Sequence, residues 1–454
     1  MKIIKRTALA MACAGAMTVA ANTAQAANWL MLQGTEPAGT AKPVRLWGFA
    51  QVEYQKDTSS TNSTGGYVPP KLLGPDLTSQ EAFNVSRARI GVRGIAHPLD
   101  DMVNYFLLTE LGNNGVTYTD RAVKLTDASI TLNHVPMARV RVGLFKYPGA
   151  EEGLQAIHTT DYINFTEVSN QLLLERFPNR TYPTAGNVAP CDPTLTPSCN
   201  LNAFDRPVGA FRDVGVQVFG STMIGDWETS YAAMIGNGNG LNYSDNDGNR
   251  DLYLYFSTEK VFGGAGPFRE GLKLFAWSQS GKRIFDGDNN GTYDTYDRDR
   301  SGAGVKYLKK PWRVTTEYMT GKGMIWNGPD KPTWALTTGS GNPDASDNGL
   351  KAKGKGWYVE GGYYIPNSDW QLDLRYDFYA RLDGARQQLD WKTVTVGAQY
   401  YINKKTRLTF NYAVRDITAI NYGPAGTSGA PGSNPNDNLD GIKNRYGVQL
   451  TAIF

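Results

Sequence analysis

The chain has 454 residues, with 46 Lys and Arg against 43 Asp and Glu, 50 glycines, 25 tyrosines, 10 tryptophans and three cysteines. Removing the three basic residues of an N-terminal leader (Lys2, Lys5 and Arg6) from the 46 leaves 43, equal to the 43 acids, and a neutral chain argues against nucleic acid as a partner. Mean hydropathy is negative, and no stretch after the leader has the apolar length of a transmembrane helix.

The leader itself is legible. Lys2, Lys5 and Arg6 precede an apolar, alanine-rich run from Thr7 to Ala21, and Ala24-Gln25-Ala26 offers a small-residue cleavage site, so residues 1–26 read as a secretory signal peptide. A lipobox ending at Cys13 would leave the apolar region too short. Residues 27–42 form a short N-terminal segment, and residues 43–454 contain no linker or break in composition. Export without a helical span leaves a soluble periplasmic protein, a secreted one or a membrane barrel.

Sixteen segments with apolar side chains on every second position follow, at about 43–57, 82–96, 101–112, 122–135, 138–148, 211–222, 226–236 and 250–260, and then 270–281, 301–309, 312–322, 355–365, 369–382, 389–402, 405–415 and 442–454. The connections after segments two, four, six, ten, twelve and fourteen are tight: His97–Asp100, Val135–Met137, Ile224-Gly225, Lys310-Pro311, Pro366–Ser368 and Asn403-Lys404. Those after odd-numbered segments are long, polar and rich in Gly, Asn and Asp. Alternating short and long connections are what an antiparallel transmembrane barrel produces, with turns in the periplasm and loops outside. The expected fold is all-β, a 16-stranded antiparallel transmembrane β-barrel.

The strand faces say which side is wet. In segment thirteen Trp370, Leu372, Leu374, Tyr376 and Phe378 oppose Gln371, Asp373, Arg375 and Asp377, and the last segment alternates from Tyr446 to a terminal Phe454. A charge facing lipid at mid-membrane costs about 2–4 kcal/mol, so the charged parity is assigned to a watery lumen. Trp227, Trp312, Trp357, Trp370 and Trp391 are assigned to interfacial belts at strand ends.

Segments such as Arg87–Gly94, Val140–Pro148, Arg212–Gln217 and Gly356–Tyr363, with Asn237–Gly240 and Asp251-Leu252, resemble the phosphate-selective porin O and P family from about residue 43 to 454. The resemblance implies a trimeric, sixteen-stranded outer-membrane porin whose third loop folds inward to narrow the pore, with an arginine ladder and a lysine cluster that carry anions. Arg87, Arg89, Arg93, Arg139 and Arg141 match ladder-like positions, whereas the lysine cluster has no match.

Read without the family, the inward parity carries Arg45, Arg87, Arg89, Arg93, Arg139, Arg141, Lys273, Lys306, Arg313, Arg375, Arg407, Arg415 and Arg445. It also carries Glu53, Glu110, Asp127, Asp213, Glu228, Asp251, Glu259, Glu317, Glu360, Asp373 and Asp377. Segments fifteen, sixteen, one and two become neighbours when the barrel closes and hold seven of the cations with only Glu53 among those acids, so one wall reads as arginine-rich. Guanidinium stays charged and binds phosphate or carboxylate through paired donors, so such a wall can pass anions stepwise. The competing reading is that these arginines pair with loop acids and merely hold the third loop.

That loop, Gly149 to Phe211, is the longest connection, and Leu154, Ile157, Tyr162, Ile163, Phe165 and Leu172–Leu174 argue for packing inside the barrel. Its first half sets Glu151, Glu152, Asp161, Glu167 and Glu175 against Arg176 and Arg180, an acidic constriction facing a basic wall. Cys191 and Cys199 in the same loop form a disulfide by default in an oxidising compartment. Asp286, Asp288, Asn290, Gly291, Thr292, Asp294 and Asp297 fall at the positions of a calcium loop with Asp in place of the usual bidentate Glu, against the plain reading of a solvated hairpin.

The three histidines, His97, His134 and His158, assemble no catalytic constellation at one rim, and there is no C-x-x-C-H for haem, so no enzyme activity and no cofactor beyond that calcium candidate are expected. The functional expectation is a passive channel in the bacterial outer membrane for small anionic or polar solutes, phosphate among them. Its expected surroundings are membrane lipid, lipopolysaccharide and two further copies of the chain. The alternative is a structural sheath around another outer-membrane or electron-transfer protein.

Overall fold

In the computed structural model the described residues are 28–33, 35, 42–59, 81–114, 116–117, 123–174, 209–241, 245, 247–264, 266–285, 294–325, 351–385, 388–421, 436 and 439–454. Period-two alternation builds sixteen strands in them. The first eight are β1 (Arg45–Asp57), β2 (Glu81–Ala96), β3 (Asp100–Glu110), β4 (Lys124–Leu132), β5 (Arg139–Lys146), β6 (Arg212–Ile224), β7 (Trp227–Gly236) and β8 (Asp251–Gly263). The second eight are β9 (Glu270–Phe285), β10 (Asp294–Lys309), β11 (Trp312–Lys322), β12 (Lys353–Tyr364), β13 (Trp370–Arg381), β14 (Leu389–Asn403), β15 (Thr406–Ala419) and β16 (Arg445–Ile453). Each pairs antiparallel with its sequence neighbours, and β1 pairs with β16 to close the ring. Closure leaves no open edge, which a sheet in lipid requires.

At the seam Phe49 lies opposite Ile453 and Asp57 opposite Arg445. The backbones of Gly48 and Phe454 exchange hydrogen bonds of 3.2 and 3.0 Å. A Cβ at Gly48 would stand 2.4 Å from the Phe454 ring, so the bare backbone there is what seats the terminal aromatic.

Alternation of exposure follows the expected parities. Along β13, Trp370, Leu372 and Leu374 face out while Gln371, Asp373, Arg375 and Asp377 are buried in the lumen. β2 departs from strict alternation at one place. The register slips between Gln51 and Val52 of β1, so that Ser86 and Arg87 both turn inward. This one-residue bulge re-aims a side chain and reverses the parity of the strand above it.

Three expectations need correcting. Trp227, Trp312, Trp357 and Trp370 face outward, but Trp391 is buried inside, under the Arg381 guanidinium at 4.5 Å, because its odd position shares the face of Thr393 and Thr395. Arg45 has the inward parity yet lies exposed, at the end of β1 beyond the enclosed part of the barrel. β10 begins at Asp294 rather than 301, and β9 runs to Phe285, so the hairpin is longer than expected. Asp294 and Asp297 are therefore strand residues with exposed side chains, Asp297 opposite Lys282. Asp286, Asp288, Asn290, Gly291 and Thr292 lie outside the described residues, and among those described no cluster of acids, His or Cys could hold a metal ion.

The lumen is not filled evenly. Leu154, Val168 and Leu172–Leu174 of the third loop pack on Phe145, Phe219, Met234, Tyr253, Tyr255, Phe275, Trp277, Met319, Tyr358 and Tyr379, which point inward from β5 to β13. The loop is thus anchored on an apolar half of the inner wall, and the inward side chains of β14–β16 and β1–β2 are mainly polar.

Candidate functional site

The third loop leaves β5 at Lys146, whose ammonium donates to the carbonyls of Gly153 and Gln155 at 2.8 Å each and closes the first turn of the loop on itself. Glu151 then reaches across the lumen. Its carboxylate accepts Lys273 of β9 at 2.6 Å and Lys306 of β10 at 3.0 Å. Burial alone would raise the Glu151 carboxyl, but the two ammonium groups outweigh it and hold it down at about 2. Asp161 pairs with Arg313 of β11 and lies 3.6 Å from Arg407 of β15. Glu152 accepts the Thr166 backbone at 3.0 Å and sits 3.6 Å from Arg375 of β13. Further on, Arg298 and Arg300 of β10 donate to the carbonyls of Leu173 and Leu172 at 3.2 and 2.8 Å.

The acids of the loop are therefore largely neutralised by the strands that hold it. An acidic constriction facing a basic wall does not describe Glu151, Glu152 and Asp161, which are matched pair by pair. Glu167 differs. Among the described residues its carboxylate accepts only the Gln171 amide at 2.9 Å, and burial, followed by the neighbouring Asp377, pushes it up to about 7. Glu175, Arg176, Cys191 and Cys199 lie outside the described residues.

Beside the loop lies a narrow open space, bordered by Ile163, Asn164, Phe165 and Glu167 on one side. Arg375, Asp377, Thr393, Thr395, Asn411, Arg415, Arg445 and Gly447 of β13–β16 border it on the other. Among the described residues the buried hydroxyls of Thr393 and Thr395 bond no protein group. A Cβ on Gly447 would meet Ile163 at 3.1 Å, so the glycine sets how near the loop comes to β16.

The arginines expected in the pore divide into two kinds. Arg89 is paired with Glu110 at 2.7 Å, and Arg415 and Arg445 share Asp57 at 2.7 and 3.2 Å. Asp57 and Glu110 thus offset much of the wall that read as arginine-rich. Arg407 donates to Gln399 at 2.6 Å and to the third-loop carbonyls of His158 and Thr160. Arg87 and Arg141 are different: both are buried, and among the described residues neither forms an ion pair. Arg87 donates to the Gln51 amide oxygen at 3.0 Å. Arg141 donates to Thr131 at 3.2 Å and lies 4.5 Å from the centre of the Phe219 ring. Arg93 and Arg139 are half-buried near the short-turn end, and Arg93 lies 5.5 Å over Phe106.

Sequence reasoning missed Asp57, Arg283, Arg298, Arg300 and Arg381, all buried in the lumen. Asp57 and Arg381 have the inward parity of their segments, so continuing the alternation to the strand ends would have found them. Arg298 and Arg300 alternate with Asp297 and Asp299 in a stretch too polar to read as strand.

A closed ring of sixteen strands, apolar outside and charged within, makes this a transmembrane β-barrel of the bacterial outer membrane. The family model described as phosphate-selective porin O and P matches residues 280–424, which bears out the resemblance over that stretch. Among solved structures, the chain is similar to the outer membrane channel DcaP of Acinetobacter baumannii, at 13% identity and a TM-score of 0.50, covering 93% of this chain and 100% of that one. It is also similar to an anion-selective porin from Comamonas acidovorans, at 14% identity and a TM-score of 0.49, covering 90% and 99%. No curated protein matches.

Proposed function

We propose that this protein is a passive diffusion channel for small hydrophilic solutes, with a preference for anions such as phosphate. The observation that carries the preference is the pair of buried, unneutralised guanidinium groups of Arg87 and Arg141 on the inner wall. A fixed positive charge in a narrow, partly desolvated bore attracts anions and repels cations, and planar guanidinium matches the paired oxygens of phosphate or carboxylate. The matched charge on the third loop favours a weak, general preference over tight binding of one anion. The same reading includes a homotrimer, which cross-linking of detergent-extracted protein tests.

The purified barrel in a planar bilayer decides the matter. Ohmic steps whose reversal potential in a salt gradient lies toward the anion potential support the reading. A barrel that inserts and passes no ions supports instead a structural sheath. Ions passed with no preference would remove the anion part alone.

A further inference from the structure

At the short-turn end of the lumen, beneath the third loop, lies a piece of chain that belongs to no strand. Asn28 caps a four-residue helix, Trp29–Leu32, by accepting the Leu30 amide at 3.1 Å. Its side-chain amide donates to Glu228 at 3.0 Å and to Ser230, both on β7. Trp29 and Leu30 are buried in the same apolar cluster as Phe145, Phe219 and Met234. Gln33 donates to the carbonyl of Leu154 at 3.3 Å, which ties the segment to the underside of the third loop.

Its carbonyls face the arginines. Arg141 donates to Leu30 at 3.4 Å, and Arg93 donates to Leu32 and Thr35 at 3.3 and 3.1 Å. Arg139 points at the Met31 sulfur at 3.3 Å. Among the described residues neither Arg139 nor Arg141 has a carboxylate at ion-pair distance, so the Met31 sulfur and the Leu30 carbonyl occupy donors whose charge they do not cancel. An anion oxygen would fill the same positions and also neutralise the charge.

We propose that the segment of residues 28–33 and 35 is an occluding strap at the periplasmic mouth, and that polyoxyanions compete with it for the guanidinium group of Arg141. The inference rests on the diffusion-channel reading. The strap is held by hydrogen bonds, by buried Trp29 and Leu30 and by half-buried Met31 and Leu32, against charge-assisted bonds that an anion offers in place of the Leu30 carbonyl.

The test compares three barrels in planar bilayers: the full chain, a deletion of residues 28–41 that keeps the signal peptide, and Asn28→Ala. Folding of each is checked by heat-modifiable gel mobility. The deletion is expected to give larger conductance steps and block by inorganic phosphate at lower concentration than the full chain. Asn28→Ala is expected to raise the ratio of large to small conductance states about tenfold, equivalent to about 1.4 kcal/mol. If the deletion does not fold, Asn28→Ala decides alone. Three conducting barrels with the same step size, and the same response to phosphate, would overturn the strap. No conductance from any of them would overturn the channel reading instead.

Discussion

Glu151 Oε2 and Lys273 Nζ, separated by 122 residues of chain, meet at 2.6 Å inside the barrel and fix the third loop to β9. Both are buried, so removing one charge strands the other where water cannot repair the loss. Breaking a buried pair from one side costs about 3–5 kcal/mol. Glu151→Gln is therefore expected to release the first turn of the loop, with larger and noisier conductance steps and a lower unfolding midpoint in detergent. Unchanged step size and midpoint would mean that the apolar packing of Leu154 and Leu172–Leu174 holds the loop without it.

The two kinds of arginine give opposite expectations. Neutralising Arg87 and Arg141 together, as Gln, is expected to lower the anion-to-cation permeability ratio, because no carboxylate is released in exchange. Neutralising Asp57 as Asn is expected to raise it, because Arg415 and Arg445 lose their shared counter-charge. Reversal potentials in a potassium chloride gradient read both. An unchanged ratio for Asp57→Asn would place the conducting path away from β15 and β16.

Glu167 gives a pH dependence whose sign is fixed. Burial and the nearby Asp377 raise its carboxyl to about 7, so it is neutral below that pH and negative above it. Raising the pH from about 6 to about 8 therefore adds one negative charge at the border of the open space, and anion preference is expected to fall over that interval. Glu167→Gln is expected to flatten the profile. A profile of equal slope in the variant would assign the titration elsewhere.

The outer face is tested by insertion of charge. Leu374→Arg, on the exposed face of β13, is expected to destabilise the barrel by about 2–4 kcal/mol if it lies near the membrane midplane. Thr395→Arg, pointing into the lumen, is expected to leave the midpoint near wild type and alter selectivity. Denaturant titrations in lipid vesicles distinguish them, and equal losses would contradict the assignment of faces.

The barrel was legible because one rule, alternation with period two, is repeated sixteen times and turns separate the repeats. Leu372 to Asp377 could be placed on the correct faces from their positions alone. Where a single residue breaks the rule, sequence reasoning had no signal: Ser86 is an ordinary small residue, and only the register against Gln51 and Val52 reveals the bulge.

The charge partners were harder still. Whether Arg415 meets Asp57, or Glu151 meets Lys273, depends on which residues the closed ring brings to one height, across 358 and 122 residues respectively. A parity list gives the membership of the lumen but not its pairs, and so it overstated the free charge on the arginine-rich wall. The strap was invisible for a related reason. Trp29–Leu32 is too short to show a period, and its role follows only from what Arg93 and Arg141 touch.

The seam between the first and last strands carries a consequence for biogenesis. Gln51 and Thr451, hydrogen-bonded at 3.2 Å, stand 400 residues apart, so β1 waits for its second neighbour until β16 has been delivered. Until then two ribbons with unsatisfied amides and carbonyls, greasy on one side, are available to any stray partner. Escorts in the periplasm must shield these margins, and a chain clipped before Arg445 should be cleared as debris, having no way to zip itself shut.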